Sequence, residues 1–180
     1  KGEACELVKI FGVKNQGSYA EYITAPISQF YSKPKNISFV EAAAFPLTFL
    51  TAWHMLVGRA NLQKGETVFV WGASGGLGSA AIQVAKSLGA SVIAAAKSEE
   101  DAKQIREIGA DEIVIYTNGN VESEVKNMTN GLGVDVVFES VGEKTWNTTL
   151  AMLRPFGRVV IAGTTSGDTG TQDLSDIYVR

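Results

Sequence analysis

A single cysteine in 180 residues excludes an internal disulfide and makes a reducing cytoplasm the expected compartment. Neither charge sign dominates: 16 basic residues against 19 acidic ones leave a net charge of −3, with no basic footprint for nucleic acid or an anionic membrane. No apolar run is read as reaching the length of a membrane span, and no signal peptide is recognised. Low-complexity tracts and internal repeats are absent too. An initiator methionine is missing, since the chain opens Lys1-Gly2-Glu3, and a fragment or processed product is expected. What is present is apolar: 45% of the residues, enough for a sizeable core and against disorder.

The most informative stretch is Val68–Ser98, VFVWGASGGLGSAAIQVAKSLGASVIAAAKS. A short apolar run, Val68–Trp71, stops at a glycine-rich bend. A small-residue segment then runs to Gly89, and a second apolar run covers Val92–Ala96. Strand, turn, helix and strand in that order make one βαβ unit. The bend fits a dinucleotide fingerprint as Ala73-Ser74-Gly75-Gly76-Leu77-Gly78, with alanine in the first glycine slot. Gly75 would let main chain approach a diphosphate, and Gly78 would let the helix lie close on the strand. The helix begins at the bend, so its free N–H groups and positive dipole end face an anion there. The bland alternative is a tight turn that binds nothing.

On either side the chain keeps the same grammar. Ser18–Ala25 and Gln29–Ser32 read as strands of an all-β unit over residues 1–36. Ser38-x-x-Glu41 is a capping box that opens a helix at Phe39–Ala44. Pro46 then breaks it and starts a second helix, Leu47–Arg59. Thr48–Leu56 is apolar on most faces and expected to be buried, with His54 there a packing or surface residue rather than a ligand. After the central unit come a helix capped by Ser98, a strand at Glu112–Tyr116, a helix at Val121–Met128 and a strand at Val134–Glu139. A helix at Glu143–Leu153, a turn at Arg154–Gly157, a strand at Arg158–Ala162 and weak helix at Leu174–Val179 complete the reading. Continuous apolar strands alternating with helices predict an α/β fold, a doubly wound parallel sheet of about five strands over residues 37–180 whose last strand is missing.

The blocks GSYAEYITAP, AAAFPLTFLTAWHML, VFVWGASGGLGSAAIQVAKSLGASVIAAA, EIGADEIVIY, GVDVVFESVG and GRVVIAG occur in one order. Together they resemble the medium-chain dehydrogenase/reductase superfamily, the zinc-type alcohol dehydrogenase and quinone oxidoreductase group. The resemblance implies a GroES-like catalytic domain, represented here only by remnant strands, followed by a Rossmann cofactor domain. It implies that Thr51 contacts the nicotinamide half of a cofactor, with a helix hydroxyl bonded to its own backbone as the bland reading. It also implies that Cys5 matches the last of four structural-zinc cysteines. One thiolate cannot hold that metal, so structural zinc is expected only in a full-length protein. Leu47 stands where some members carry a catalytic-zinc cysteine. Relatives commonly dimerise through sheet edges, so a homo-oligomer is implied.

Cofactor choice turns on the end of the second strand. Ala96 occupies the place of the carboxylate that would bind ribose hydroxyls, and Lys97 and Ser98 follow it, which favours NADP(H) over NAD(H). Asp101 argues the other way. Tyr116 would stack near adenine or touch a phosphate, or simply pack at the strand end. Ser140, Val141 and Gly142, with Ala162, Gly163 and Thr164, end the fourth and fifth strands where the nicotinamide half would cross the sheet. Glu139 reads as a structural carboxylate. No residue reads as a catalytic acid or base. The expected whole enzyme exchanges hydride with a small carbonyl, alcohol or activated alkene, while these 180 residues bind cofactor only. A non-catalytic nucleotide sensor and a methyltransferase are the competing classes; the latter needs an acid where Ala96 stands.

Overall fold

The computed structural model describes residues 17–175. Cys5 and most of the tail helix expected at Leu174–Val179 lie outside the described residues. The chain divides into two units, Lys1–Ala42 and Ala43–Arg180.

The described part of the first unit is irregular, with one 3-10 turn at Ile27–Gln29. The strands expected at Ser18–Ala25 and Gln29–Ser32 do not form. A strand needs a ladder partner for its amides, and no partner lies among the described residues. Tyr19, Tyr22 and Tyr31 stand exposed instead. The capping box does form: Glu41 Oε2 accepts from the Ser38 amide at 2.7 Å and from its hydroxyl at 2.8 Å, while the Glu41 amide donates to Ser38 Oγ at 3.2 Å.

That box opens α1, Phe39–Trp53, which passes through Pro46 and continues into a π-helical segment, His54–Arg59. The expected break at Pro46 is absent. Proline forfeits one intrahelical bond, but Pro46 is exposed, where water can satisfy the carbonyl left free. Continuity changes the length argument as well. Phe39–Arg59 is 21 residues, long and apolar enough by length and composition to cross a membrane, which the split at Pro46 conceals. Burial of Thr48–Leu56 holds only in part. Ala52, Met55 and Leu56 are in the core, whereas Leu50 and Trp53 are exposed.

The second unit is built on a five-stranded sheet: β1 (Thr67–Val70), β2 (Ser91–Ala96), β3 (Glu112–Ile115), β4 (Val134–Glu139) and β5 (Leu153–Ile161). All neighbours are parallel, in the order β3-β2-β1-β4-β5. Four helices connect them: α2 (Gly76–Ser87), α3 (Glu99–Glu107), α4 (Val121–Met128) and α5 (Trp146–Ala151). Strand alternation divides the core in two. Val68 and Val70 of β1, with Val92 and Ala94 of β2, pack with Ala80, Ile82 and Ala102 on one face. Phe69, Ile93, Ala95 and Val137 point to the other, against Val121, Val125 and Met152. Parallel strands covered on both faces are mostly apolar, and here Asp135 and Glu139 of β4 are the buried charged exceptions.

Two boundaries move. The last helix shortens from Glu143–Leu153 to Trp146–Ala151, and β5 begins at Leu153. The turn expected at Arg154–Gly157 survives as an excursion within that strand: Val134 pairs with Leu153 and Val136 with Arg158. Phe156 sits there at φ 64° and is exposed. Among the described residues β5 is an edge strand, and such a strand tolerates Pro155 at a bulge because no neighbour on its open side calls on the N–H that proline lacks.

Candidate functional site

The sheet order reverses direction at β1, because β2 lies on one side of it and β4 on the other. Loops leaving the carboxyl ends of β1 and β4 therefore diverge and leave a crevice between them. Every candidate residue from β1 onward falls at this edge of the sheet.

The bend after β1 is held by main chain. Gly72 has φ 62°, and its carbonyl accepts from the Gly75 amide at 3.0 Å. A Cβ on Gly78 would lie 2.2 Å from that same carbonyl, so only glycine lets α2 approach so closely. Gly75 is the N-cap of α2 in extended conformation, and no side chain caps the helix. The amides of Gly76, Leu77 and Gly78 are consequently left without intrahelical acceptors, beside the positive end of the helix dipole. Ser74, Gly75 and Gly76 are exposed and available to a ligand. Ala73 and Gly78 are buried, so what they contribute is packing and main chain. Thr48 of α1 lies over the bend, its Cγ2 3.4 Å from a Cβ built on Gly76. Thr51, one turn further along, is half-buried. Its hydroxyl has no hydrogen-bond partner among the described residues, whereas Thr48 bonds back to the Ala44 and Phe45 carbonyls.

At the end of β2, Lys97 is exposed and has no ion-pair partner among the described residues. Ser98 caps α3, its hydroxyl accepting from the Asp101 amide at 3.2 Å, and so retains its proton for another acceptor. The Thr117 hydroxyl donates to the Lys97 carbonyl at 3.0 Å and ties this loop to the end of β3. There Tyr116 is partly exposed, its ring edge-on to Trp71 at 6.3 Å.

The β4 and β5 loops are laced together. Ala162 N–H donates to the Glu139 carbonyl at 3.0 Å and Ser166 N–H to the Val141 carbonyl at 2.7 Å. Gly142 has φ 93°, and a Cβ there would meet the Gly167 carbonyl at 2.6 Å and Thr164 Cα at 3.0 Å. Gly163 faces Ser140, and the Thr164 hydroxyl is held by Asp168. Between these loops and α4 opens a cavity of about 680 Å³, lined by Trp71, Gly72, Tyr116, Val141, Thr145 and Ser166 among others.

Thus Tyr116 and Val141 line the cavity, residues 74–76 lie at the bend, and Lys97 and Ser98 flank the site at the end of β2. Sequence reasoning missed Trp71, Thr145, Thr149 and Ser166. Trp71 was readable only as the end of an apolar run, and the hydroxyl residues sit in a segment whose spacing carries no motif. Metal is a different matter. Among the described residues no three His, Cys, Asp or Glu side chains converge to hold an ion, and no zinc site can be assigned to them.

Residues 76–180 match the zinc-binding dehydrogenase family model. A quinone oxidoreductase of Pongo abelii is 34% identical over 147 residues, covering 82% of this chain and 45% of the relative. Among solved structures, an NAD-dependent alcohol dehydrogenase superposes with a TM-score of 0.87 at 42% identity, covering 92% of this chain and 48% of that one. An Escherichia coli quinone oxidoreductase complexed with NADPH gives 0.75 at 32% identity, covering 81% and 45%. The chain thus spans about half the length of the relatives it matches.

Proposed function

Because this chain belongs to the zinc-binding dehydrogenases of the medium-chain dehydrogenase/reductase superfamily, we propose that it is the cofactor-binding part of an NADP(H)-dependent oxidoreductase of the quinone oxidoreductase kind. The observation that carries this is the uncapped start of α2. Three amides and a helix dipole face a crevice whose wall at Gly75 and Gly76 has no side chains. A diphosphate satisfies those amides without displacing any protein group.

The remaining assignments follow the sheet edge. Lys97, Ser98 and Tyr116 receive the adenosine end, and a 2′-phosphate gives the Lys97 ammonium the counter-charge it otherwise lacks. With alanine at position 96 the strand end itself carries no carboxylate, which favours NADP(H) over NAD(H) against the opposing charge of Asp101 in the first turn of α3. The E. coli relative complexed with NADPH supports the same choice. Thr51, with Ser140 and the loop at Ala162–Thr164, receives the nicotinamide half, while Val141, which lines the cavity together with Tyr116, faces the adenosine end. When bound, the cofactor supplies hydride exchange with a carbonyl, an alcohol or an activated alkene. This chain's own residues bind it, orient it and cover one side of it. Activation of the substrate belongs to the half of the relatives' length that this chain does not span, and these 180 residues are expected to bind without turnover.

Calorimetric titration with NADPH and NADH tests the reading. NADPH is expected to bind more tightly, and Lys97→Ala to abolish the difference while leaving NADH affinity unchanged. A protein that binds neither nucleotide at millimolar concentration would refute the proposal.

A further inference from the structure

Glu139 and Thr149 are both fully buried behind the 680 Å³ cavity, and neither lines it. The hydrogen bonds between them have a determined direction. Trp71 Nε1 lies 2.8 Å from Thr149 Oγ1. Indole nitrogen is a donor only, so the threonine hydroxyl accepts from it and must direct its own proton elsewhere. Glu139 Oε2 is 2.7 Å away and receives that proton. Thr145 Oγ1 reaches the same oxygen at 2.8 Å. The other carboxylate oxygen, Oε1, accepts from the amides of Val141 and Gly142 at 2.6 and 3.1 Å.

These bonds form one path. It starts at Trp71 on the β1 wall of the cavity, passes through a buried hydroxyl to a buried carboxylate, and returns at Val141 on the β4 wall. Nothing in sheet formation requires it, since the ladder between β1 and β4 is complete over residues 68–70 without these side chains. What the path fixes is the distance and tilt between two surfaces, an indole and an isopropyl group, with Tyr116 edge-on to the indole. A flat base fits between surfaces of that kind.

We propose that Thr149 is a positioning residue: acting through Trp71 and Glu139, it sets the separation of the two cavity walls and so the fit of the adenosine half of the dinucleotide. This rests on the dinucleotide reading above. Thr149→Val removes acceptor and donor together, leaving the buried Trp71 N–H without an acceptor and Glu139 Oε2 with the Thr145 hydroxyl alone, and the walls relax.

The test compares three ligands by calorimetry: 2′,5′-ADP, reduced nicotinamide mononucleotide and NADPH. Thr149→Val is expected to weaken 2′,5′-ADP and NADPH by about tenfold, the scale of one buried donor left without its acceptor, and to leave the nicotinamide mononucleotide unchanged. Thr149→Ser keeps the hydroxyl and restores affinity. Should Thr149→Val fail to fold, Trp71→Phe, which keeps an aromatic wall but lacks the N–H, is expected to reproduce the selective loss. Unchanged 2′,5′-ADP affinity in the folded variants overturns the proposal, as does an equal loss for both halves, which marks a merely structural role. The dinucleotide reading fails separately, when the unsubstituted protein binds none of the three.

Discussion

At the scale of single residues, Gly78 and Glu66 carry the sharpest consequences. A methyl group on Gly78 would sit 2.2 Å from the Gly72 carbonyl and 2.7 Å from Ala73 Cα, both main-chain atoms of the bend. Neither can rotate away, so α2 must shift. Gly78→Ala is expected to cost about 1–3 kcal/mol and to weaken NADPH binding, read from urea midpoints and calorimetry; a variant equal to the unsubstituted protein in both refutes the close-approach argument. Glu66 ties the turn before β1 to β5 through Arg158 at 2.5 Å. Burial pushes its carboxyl up, but hydrogen bonds from the Arg158 guanidinium and the Gln63 amide outweigh that and hold it below the ordinary value of 4.5. A lowered folded value means that the stabilisation is full above 4.5 and is lost as pH falls through the folded value. Glu66→Gln is therefore expected to lose about 1 kcal/mol at pH 7, with the difference from the unsubstituted protein shrinking as pH falls through the lowered folded value, checked by urea midpoints over a series of pH values from 7 downward. The glycine's role was legible in the sequence because steric demand leaves a spacing behind it. Trp71 and Thr149 were not, because their link closes across 78 positions and only the fold brings them together.

Among the elements, those with a single clear period read most faithfully. β4 and α4 fall on the expected residues, because an apolar run bounded by Gly131-Leu132-Gly133 or an amphipathic octet after Asn120 admits one period only. Pro46 misleads for the opposite reason. Its local preference says stop, yet α1 runs through it, since an exposed helix interior can leave one carbonyl to water. That tolerance has a cost which substitution should recover. Pro46→Ala supplies the missing amide proton and removes the ring, and is expected to stabilise the helix by about 1 kcal/mol, less than the full proline penalty because the unfolded chain also gains freedom. Far-UV circular dichroism during urea unfolding measures it. A decrease in stability would mean that the proline is set by something other than helix formation.

For the whole molecule, a dinucleotide placed as proposed would touch loops that leave β1, β2, β3, β4 and β5, the full width of the sheet. The topology was legible because parallel βαβ units wind one way, so five apolar runs in sequence leave few arrangements, and the crevice follows from where the order reverses. The exposed face of α1 was not legible, since composition cannot distinguish an apolar helix that is covered from one that is not. A ligand that spans all five strand ends binds the folded second unit and has no counterpart in the unfolded chain. Its binding energy then appears as stability by mass action, about 2.7 kcal/mol at a hundred times the dissociation constant, or a rise of roughly 5–10 °C in melting temperature for a unit of this size. The rise should grow with the logarithm of NADPH concentration, be reproduced in part by 2′,5′-ADP, and be smaller for NADH at equal concentration because Lys97 then meets no phosphate. Differential scanning fluorimetry over three decades of each nucleotide measures all three trends. A melting temperature indifferent to NADPH would separate the fold from the function assigned to it, leaving the uncapped amides of α2 as an open end of a helix and nothing more.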